Sequence, residues 1–379
     1  MSKSTGVAVA AAAVVAGAVF LYHQPKIADA SKQVVARVQA ASMRPIVLKA
    51  SNGVKVHVVP VGASVVQLWV PDRDGNLADV VLGFDDFQAY VDGRSPYMGS
   101  VVGRCANRIG QATFQLGGRT YALSANDGKH ALHGGREGFD KKTWRVDALV
   151  TTTEGESVTL SYISEDGEEG YPGRLHAKVT YRLQNCSEPG RAELRVEFEA
   201  TTTEATPVNL VQHSYFNLKG QGRGDVLSHT VQLEADQYTP MDEELIPTGE
   251  IQHVEGTPLD FREEKVLGKQ LIQVPGGYDH NFVVRGEMGK LRPAATVKEQ
   301  KTGRKLEVWT NAPGLQFYTG NFLDGMLCGK EDMTYHRHAG LCLETQGFPN
   351  AVNLRQFPNV VVRPGEVYRH TVVYKFSTF

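Results

Sequence analysis

Short segments that alternate between hydrophobic and polar residues dominate the chain from about residue 46 onward. Residues 54–59 read Val-Lys-Val-His-Val-Val, and residues 157–163, 175–183 and 192–201 repeat this two-residue period with many Thr, Val and Tyr. Such a period is typical of β-strands that bury one face, and Gly, Pro and Asp separate the segments. Strands do not alternate with helices, which argues against a parallel α/β sheet. The pattern therefore predicts an all-β protein.

The clearest local prediction is a hairpin at residues 112–123. Two alternating segments, 112–116 and 119–123, flank Gly117-Gly118, and a two-glycine turn is typical of a tight β-hairpin. One or two helical turns are expected at residues 85–91. Further strands are predicted at residues 64–70, 230–233, 305–310, 315–318, 359–362 and 367–376. Neither a repeat nor a low-complexity linker follows residue 45, so residues 46–379 are expected to form one large, mostly antiparallel β-sandwich.

The first 45 residues have a different texture. Residues 7–22 are rich in Ala and Val and carry no charge, with a short Gln/Ala/Val helix expected at 31–41. An apolar run of this length is shorter than the ~20 residues of a membrane-spanning helix, and it fits a signal peptide or a short anchor. The alternative is an Ala-rich tail with no targeting role. Residues 1–45 are therefore expected to be a targeting or anchor segment with a linker, and any membrane contact would involve residues 7–22.

Composition narrows the function classes. Of the 379 residues, 41% are hydrophobic and 22% are charged, which is ordinary for a soluble globular protein. The net charge is -2 and no long basic run occurs, so a nucleic-acid partner is not expected. The 4 cysteines form no C-x-x-C pair, which argues against a disulfide framework or a zinc site. The expected assembly is a monomer or a weak dimer.

Two ionisable residues stand out in apolar surroundings. His213 lies beside Tyr215 in a run that otherwise resembles a buried strand, residues 209–218. An imidazole there is either a hydrogen-bonded core histidine or a proton-transfer group in a cleft. Glu344 ends an apolar strand with no Lys or Arg near it in sequence, so a buried salt bridge is the weaker alternative. A buried carboxyl without a partner has a raised pKa, as a general base acting near neutral pH requires.

Several polar residues in glycine-bounded segments are candidate ligand contacts. Arg104, Asn107 and Arg108 lie in one such segment, and a guanidinium offers a fork of donors that suits paired sugar hydroxyls. Either arginine could instead pair with a structural carboxylate. His133 precedes Gly134-Gly135, where backbone could approach a ligand closely. Asp279 follows a double glycine and could accept hydrogen bonds from two hydroxyls, or simply cap a turn.

With these segments in place, the sequence resembles the aldose 1-epimerase (galactose mutarotase) family. The motifs that carry the resemblance are Gly103–Gly110, Leu132–Gly135, Gly138–Lys141, Asn209–Leu218, Tyr278–Phe282, Gly314–Asn321 and Glu344–Asn353. The resemblance implies a galactose mutarotase-like supersandwich without a cofactor or metal, with Glu344 as the base and His213 as the acid. It further implies that six residues bind or orient the sugar: Asn107, Arg108, His133, Tyr215, Asp279 and Gln316. Gly347 departs from the family pattern.

The implied activity is the interconversion of α and β anomers of free hexoses such as glucose and galactose. Ring opening requires a base to take the C1 hydroxyl proton while an acid protonates the ring oxygen, and the same pair closes the ring with reversed roles. Glu344 as carboxylate and His213 as imidazolium fit these two tasks. The neighbouring carboxylate is expected to raise the pKa of His213.

Three alternatives remain from the residues alone. A carbohydrate-binding protein on the same fold would need neither an acid nor a base. A hexose-6-phosphate 1-epimerase would need more Arg or Lys than Arg104, Arg108 and Arg136. A metal-dependent isomerase using His336 and His338 would lose activity with a chelator.

Overall fold

The structure is a computed structural model that describes residues 44–186 and 191–379. The expected targeting segment and the expected helix at residues 31–41 lie outside these ranges. Within them, no helix has the length and apolar character needed to cross a bilayer.

Most of the regular secondary structure is β-strand, and the described residues contain 27 strands. The first thirteen are β1 (Ile46–Lys49), β2 (Lys55–Val59), β3 (Ser64–Pro71), β4 (Leu77–Asp79), β5 (Val101–Val102), β6 (Arg108–Ile109), β7 (Thr113–Leu116), β8 (Arg119–Ala122), β9 (Ala131–Leu132), β10 (Arg145–Thr152), β11 (Gly155–Ser164), β12 (Leu175–Gln184) and β13 (Ala192–Thr202). The remaining fourteen are β14 (Thr206–Pro207), β15 (Val211–Gln212), β16 (Tyr215–Phe216), β17 (Thr230–Leu233), β18 (Ala235–Thr239), β19 (Gln252–His253), β20 (Lys265–Val266), β21 (Asp279–Val284), β22 (Arg292–Lys298), β23 (Arg304–Thr310), β24 (Gly314–Tyr318), β25 (Leu341–Gln346), β26 (Val361–Val362) and β27 (Tyr368–Thr378).

Helical structure is short. The one α-helix of the described residues, α1 (Gln88–Val91), falls where one or two helical turns were predicted. The 3-10 helices are Gly110–Ala112, Phe139–Lys141, Glu168–Gly170, Leu267–Lys269, Leu271–Gln273 and Lys330–Asp332. The absence of longer helices among the described residues agrees with the all-β prediction.

Two large antiparallel sheets form the sandwich. One has nine strands in the order β10-β11-β12-β13-β27-β23-β22-β17-β20, and the other has six in the order β16-β25-β24-β21-β18-β19. A four-stranded sheet, β1 to β4, and several two-stranded pairs complete the architecture. Phe216 of the six-stranded sheet lies 5.2 Å, ring centroid to centroid, from Tyr374 of the nine-stranded sheet. The predicted β-sandwich is therefore confirmed.

The alternation of hydrophobic and polar residues in the sequence matches the alternation of buried and more exposed side chains in the strands. In β12 and β13 nearly every second side chain is buried, and these strands pair antiparallel over Leu175–Gln184. The buried side chains join residues such as Phe317 and Leu343 of the six-stranded sheet in one hydrophobic core. Burying a Val, Leu or Phe side chain contributes roughly 1.5–3 kcal/mol. This core holds the six-stranded sheet that carries part of the site described below.

The hairpin prediction is confirmed, whereas some strands were missed. β7 and β8 flank Gly117 and Gly118, whose φ values of 59° and 77° are those of a tight primed turn. β22 was missed because Pro293 interrupts the strand pattern, and the register indeed shifts between Pro293 and Ala295. β10 was also missed. The strand predicted at 359–362 is shorter, Val361–Val362.

A buried ion pair ties the 3-10 helix Lys330–Asp332 to the N-terminal sheet. Lys330 Nζ donates to Asp79 Oδ2 at 2.5 Å and to the Val81 carbonyl at 2.8 Å, and both charged side chains are buried. We expect Lys330→Met to lower the free energy of unfolding by about 3–5 kcal/mol, because Asp79 is left as an uncompensated buried charge.

Urea denaturation measures this loss. Lys290→Met is the matched control, since Lys290 pairs with Glu287 on an exposed surface and its removal should change stability by no more than about 0.5 kcal/mol. A loss below about 1 kcal/mol for Lys330→Met would contradict the role assigned to the pair.

Candidate active site

One face of the six-stranded sheet collects polar side chains in register. The pairing of β24 with β25 places Gln316 opposite Glu344, and the pairing of β21 with β24 places Asp279 opposite Tyr318. Residues two apart in a strand share a face, so Gln316 and Tyr318 point the same way. These four side chains therefore line one side of a cavity.

His213 reaches the same cavity from the junction between β15 and β16. The backbone holds it on both sides: the His213 N–H donates to the Ser100 carbonyl at 3.0 Å, and the Gly99 N–H donates to the His213 carbonyl at 2.8 Å. Tyr215 then pairs with Cys342 of β25, which brings His213 close to Glu344. The distance from His213 Nε2 to Glu344 Oε2 is 3.6 Å.

The third side of the cavity comes from the pair β6–β9. Arg108 lies opposite Leu132, and the residues next to them, Asn107 and His133, both have positive φ, 61° and 51°. The Asn107 N–H donates to His133 Nδ1 at 3.2 Å, and the His133 N–H donates to the Asn107 carbonyl at 3.1 Å. This reciprocal pair holds the imidazole of His133 with its ring 5.2 Å from that of His213.

All eight residues predicted for the site line one cavity of about 170 Å³. The other lining residues are Pro96, Tyr97, Leu132, Tyr318, Phe322 and Leu323. A larger, more open cleft of about 630 Å³ lies beside His130 and Glu244, and it contains none of the eight. The smaller cavity is therefore the candidate active site, because it contains the predicted site residues although the other cleft is larger.

Burial controls the protonation of the central pair. It lowers the pKa of His213 to about 4, and it raises the pKa of Glu344 well above its usual range, with a further contribution from the Asp279 carboxyl. The expectation that the carboxylate raises the histidine pKa is wrong, because burial removes the solvation of the imidazolium and also shifts Glu344 towards its neutral form. In the ligand-free cavity both shifts favour the neutral forms of the two groups, the unprotonated imidazole and the protonated carboxyl.

Hydrogen bonds orient the groups that face the pair. Gln316 Nε2 donates to Asp279 Oδ1 at 2.6 Å, and Gln346 Nε2 in turn donates to Gln316 Oε1 at 3.1 Å. Burial raises the pKa of Asp279, although Arg108 and the Gln316 hydrogen bond act in the opposite direction. Arg108 Nε donates to Asp127 Oδ2 at 2.7 Å, which fixes the guanidinium plane. Hydrogen bonds thus hold the Asp279 carboxyl and the Arg108 guanidinium in fixed orientations at the cavity.

Tyr215 contributes its ring rather than a free hydroxyl. Its ring stacks on that of His213, with centroids 5.1 Å apart and planes inclined by 22°. The Tyr215 hydroxyl donates to the Pro96 carbonyl at 3.1 Å. A hydrogen bond from this hydroxyl to a bound sugar would have to replace that contact.

Arg104, a candidate for sugar contact, has a structural position instead. Its guanidinium is buried and donates to the carbonyls of Pro172 and Gly173 at 2.8 and 2.9 Å and to Ser164 Oγ at 2.6 Å. A Cβ on Gly134 would lie 1.8 Å from the Gly103 carbonyl oxygen, so this glycine permits close packing of the protein's own backbone rather than of a ligand.

The two histidines of the metal alternative do not form a metal cluster within the described residues. His338 Nδ1 lies 2.8 Å from the Thr319 carbonyl, and His336 is exposed. The group of three potential ligands found in the described residues consists of His213, Cys342 and Glu344.

Tyr97 is the main site residue that the sequence did not single out. It has a φ of 63°, which is unusual for a bulky residue, and its ring lies 4.5 Å from that of His133 and 5.8 Å from that of His213. Nothing in its sequence position signals that conformation. Tyr318, in contrast, could have been found, because it lies two residues after Gln316 in a predicted strand.

Comparisons with known proteins identify the family to which this chain is similar. A sequence profile described as aldose 1-epimerase matches residues 44–375. The galactose mutarotases of Bos taurus and Homo sapiens are 48% and 47% identical to this chain over 328 residues, which cover 86% of it and 92% of each relative. The aldose 1-epimerase of Escherichia coli (strain K12) is 34% identical over 340 residues, 88% of this chain and 95% of that protein.

Solved structures show the same architecture. An aldose epimerase homologue from C. elegans superposes with a TM-score of 0.79 at 30% identity, covering 88% of this chain and 99% of that one. A galactose 1-epimerase from Lactobacillus acidophilus NCFM gives a TM-score of 0.76 at 30% identity, covering 88% and 94%. The described fold, the cavity with its carboxyl–imidazole pair, and the extent of these matches lead to one conclusion: this chain is an isomerase that belongs to the aldose 1-epimerase family.

Proposed function

We propose that the chain interconverts the α and β anomers of free galactose and glucose, with Glu344 and His213 as the proton-transfer pair. The observation that carries the proposal is the 3.6 Å separation between His213 Nε2 and Glu344 Oε2 inside a cavity lined by Arg108 and Asp279. A carboxyl and an imidazole at that distance can face the C1 hydroxyl and the ring oxygen of one pyranose.

Ring opening transfers two protons. Glu344 takes the proton of the C1 hydroxyl while His213 gives a proton to the ring oxygen, so the C1–O5 bond breaks and an aldehyde forms. After rotation about the C1–C2 bond, Glu344 returns its proton to the carbonyl oxygen and His213 takes one back as O5 attacks the other face. Each transfer by a positioned group contributes about 10²–10⁴-fold.

The neutral state of the pair has a specific role in this scheme. Ring opening starts from the ion pair, Glu344 carboxylate with His213 imidazolium, which forms when the proton of the neutral pair moves from Glu344 to His213. Transfer of both protons to and from the sugar then leaves two neutral groups. Burial lowers the pKa of His213 and raises that of Glu344, and both shifts favour the neutral form. The neutral pair is also the state that accompanies the open-chain aldehyde, so loss of solvation stabilises the intermediate that is unfavourable in water.

The hydroxyls on the far side of the ring would be held by Arg108, Asp279 and Gln316 while C1 turns. Asn107 and His133 line the rest of this side of the cavity.

The cavity favours a free hexose over a hexose 6-phosphate. Of the three arginines considered for a phosphate, Arg108 lines the cavity, Arg104 is buried elsewhere and Arg136 is exposed. A single guanidinium that already contacts Asp127 and lies near Asp279 offers little net positive charge for a dianion.

The remaining parts of the proposal concern domains and assembly. We take residues 46–379 as the catalytic domain, supported by the family match that begins at residue 44, and residues 1–45 as a separate segment with a targeting or anchoring role. We further propose that the protein acts as a monomer or a weak dimer.

The pH dependence tests the protonation scheme. Because the pKa of His213 is lowered to about 4, the neutral imidazole takes up an additional proton only below that pH. We expect kcat/KM for galactose to stay level from pH 7 down to about pH 5 and to fall as the pH drops through 4, since the pair then holds two protons instead of one. A pH–rate profile with its acid limb centred near 6.5, the ordinary histidine value, would contradict the scheme.

Polarimetry tests the activity itself. Freshly dissolved α-galactose and α-glucose should lose optical rotation faster with the protein than without it, in the presence of a chelator, while hexose 6-phosphates should react far more slowly. Binding of galactose without any acceleration would identify a carbohydrate-binding protein instead, and faster turnover of the 6-phosphates would favour that substrate class.

A further inference from the structure

A cysteine lies directly behind the proton-transfer pair. Cys342 is fully buried in β25, two residues before Glu344, and its Sγ lies 3.7 Å from His213 Nδ1. One ligand atom from each of His213, Cys342 and Glu344 falls within 4.8 Å of the other two. Imidazole, thiolate and carboxylate are the three ligand types that zinc takes in proteins.

The geometry of the pair is suited to a small cation as well as to a sugar. Glu344 Oε2 is buried without a hydrogen-bond partner in the described residues, and His213 Nε2 faces it at 3.6 Å, too far for a good hydrogen bond. Two ligands of a tetrahedral zinc ion, with metal–ligand bonds of about 2.0–2.2 Å, lie roughly 3.3–3.6 Å apart. Glu344 Oε2 and His213 Nε2 are therefore already spaced like two zinc ligands, whereas Cys342 Sγ lies beside the other ring nitrogen, Nδ1, and reaches the same ion only after its side chain turns.

We propose that His213, Cys342 and Glu344 form a binding site for a thiophilic divalent cation such as Zn²⁺, and that its occupancy inhibits the enzyme in competition with the sugar. Three protein ligands leave the fourth coordination position for water from the cavity. Zinc displaces the protons of the Cys342 thiol and the Glu344 carboxyl to solvent, and no other covalent bond changes. The cation occupies the imidazole and carboxylate lone pairs that proton transfer to the sugar requires.

Selectivity follows from the ligand types. Thiolate and imidazole favour Zn²⁺ and related soft ions, whereas Mg²⁺ and Ca²⁺ prefer sites built from oxygen atoms. Only one of the three side chains offers oxygen. Magnesium at the same concentration should therefore leave the rate unchanged.

The test is a zinc titration of the mutarotation rate at several galactose concentrations. We expect inhibition that added galactose relieves, and full recovery with excess EDTA. Cys342→Ser should raise the half-inhibitory zinc concentration by at least about tenfold, because it removes the soft ligand, while its rate without zinc stays within about threefold of the native rate.

Cys328→Ser is the matched control. Cys328 is an exposed thiol whose Sγ lies 3.9 Å from Asp332 Oδ1, so it is the natural place for adventitious surface binding. This variant should keep the native sensitivity to zinc. Equal inhibition of the native protein and Cys342→Ser, loss of inhibition in Cys328→Ser, or no inhibition by millimolar Zn²⁺ would each overturn the proposal.

The inference rests on the proposed function for its kinetic readout, so a second measurement separates the two. Equilibrium dialysis with Zn²⁺ should give one bound ion in the native chain and a loss in Cys342→Ser, irrespective of turnover. Cys342-dependent binding in a chain without mutarotase activity would refute the function and leave the site standing. Normal activity with no Cys342-dependent binding would refute the site alone.

Discussion

Glu344→Gln should lower kcat for mutarotation of galactose by about 10³-fold, because the amide can neither take the C1 hydroxyl proton nor return it. The substitution is close to isosteric, so the hydrogen-bonded wall formed by Gln316 and Asp279 stays in place. KM should change little, since the hydroxyls on the far side of the ring are held by other groups. Polarimetry on fresh α-galactose measures both constants.

Stability separates a catalytic from a structural role at this position. Folding raises the pKa of Glu344, and a carboxyl with a raised pKa destabilises the folded chain at pH values above its unfolded pKa. The amide removes that penalty, so Glu344→Gln should unfold at the same temperature as the native chain or a higher one. Glu287→Gln, at an exposed position, is the control with native activity and stability. Native activity in Glu344→Gln would contradict the assignment of Glu344 as the base.

His213→Asn should cause a loss of kcat of similar size, about 10²–10⁴-fold, because asparagine has no group that titrates. The backbone hydrogen bonds at residue 213 run to Ser100 and Gly99 and do not involve the side chain, so the local fold should persist. The exposed His336→Asn provides the control for replacing a histidine, and it also tests the metal alternative. A variant at His213 that retains more than a tenth of the native kcat would be incompatible with the proposed acid.

The double variant gives the sharper test of a pair. If Glu344 and His213 exchange protons with one sugar in a single step, the loss of either partner already removes that step. The double variant should then be no more than a few-fold slower than the slower single variant. Losses that multiply, approaching the product of the two single effects, would show that the residues act independently.

Stability and activity place different demands on the same residues. Two carboxyl groups line one cavity, Glu344 buried and Asp279 partly buried, and each has a pKa raised by loss of solvation. The oxygen Glu344 Oε2 has no hydrogen-bond partner in the described residues. A core built for stability alone would not leave such a group unpaired. Lys330 and Asp79 show the contrast, since Lys330 Nζ donates to Asp79 Oδ2 and the Leu68 N–H donates to Asp79 Oδ1.

Much of the architecture could be predicted from local sequence. The alternation in β12 and β13 identifies half-buried strands, because each buried side chain there is specified by the residue type at that position. Gly117-Gly118 identifies the hairpin, because the turn requires positive φ at both positions. Pro293 concealed β22, since tertiary pairing accommodates a proline through a register shift that no local pattern signals.

The sequence by itself determined the strand-rich class, the motifs and the residues able to exchange protons, because hydrophobic periodicity and side-chain chemistry are properties of single positions. Only the tertiary structure decided which groups meet. It buried Arg104 among backbone carbonyls, turned Tyr97 towards His213, and set Glu344 3.6 Å from an imidazole 131 positions earlier in the chain. It also reversed the expected direction of the His213 pKa shift. The solvation that sets the pKa of a buried group depends on every segment that covers the group, and those segments come from the whole fold.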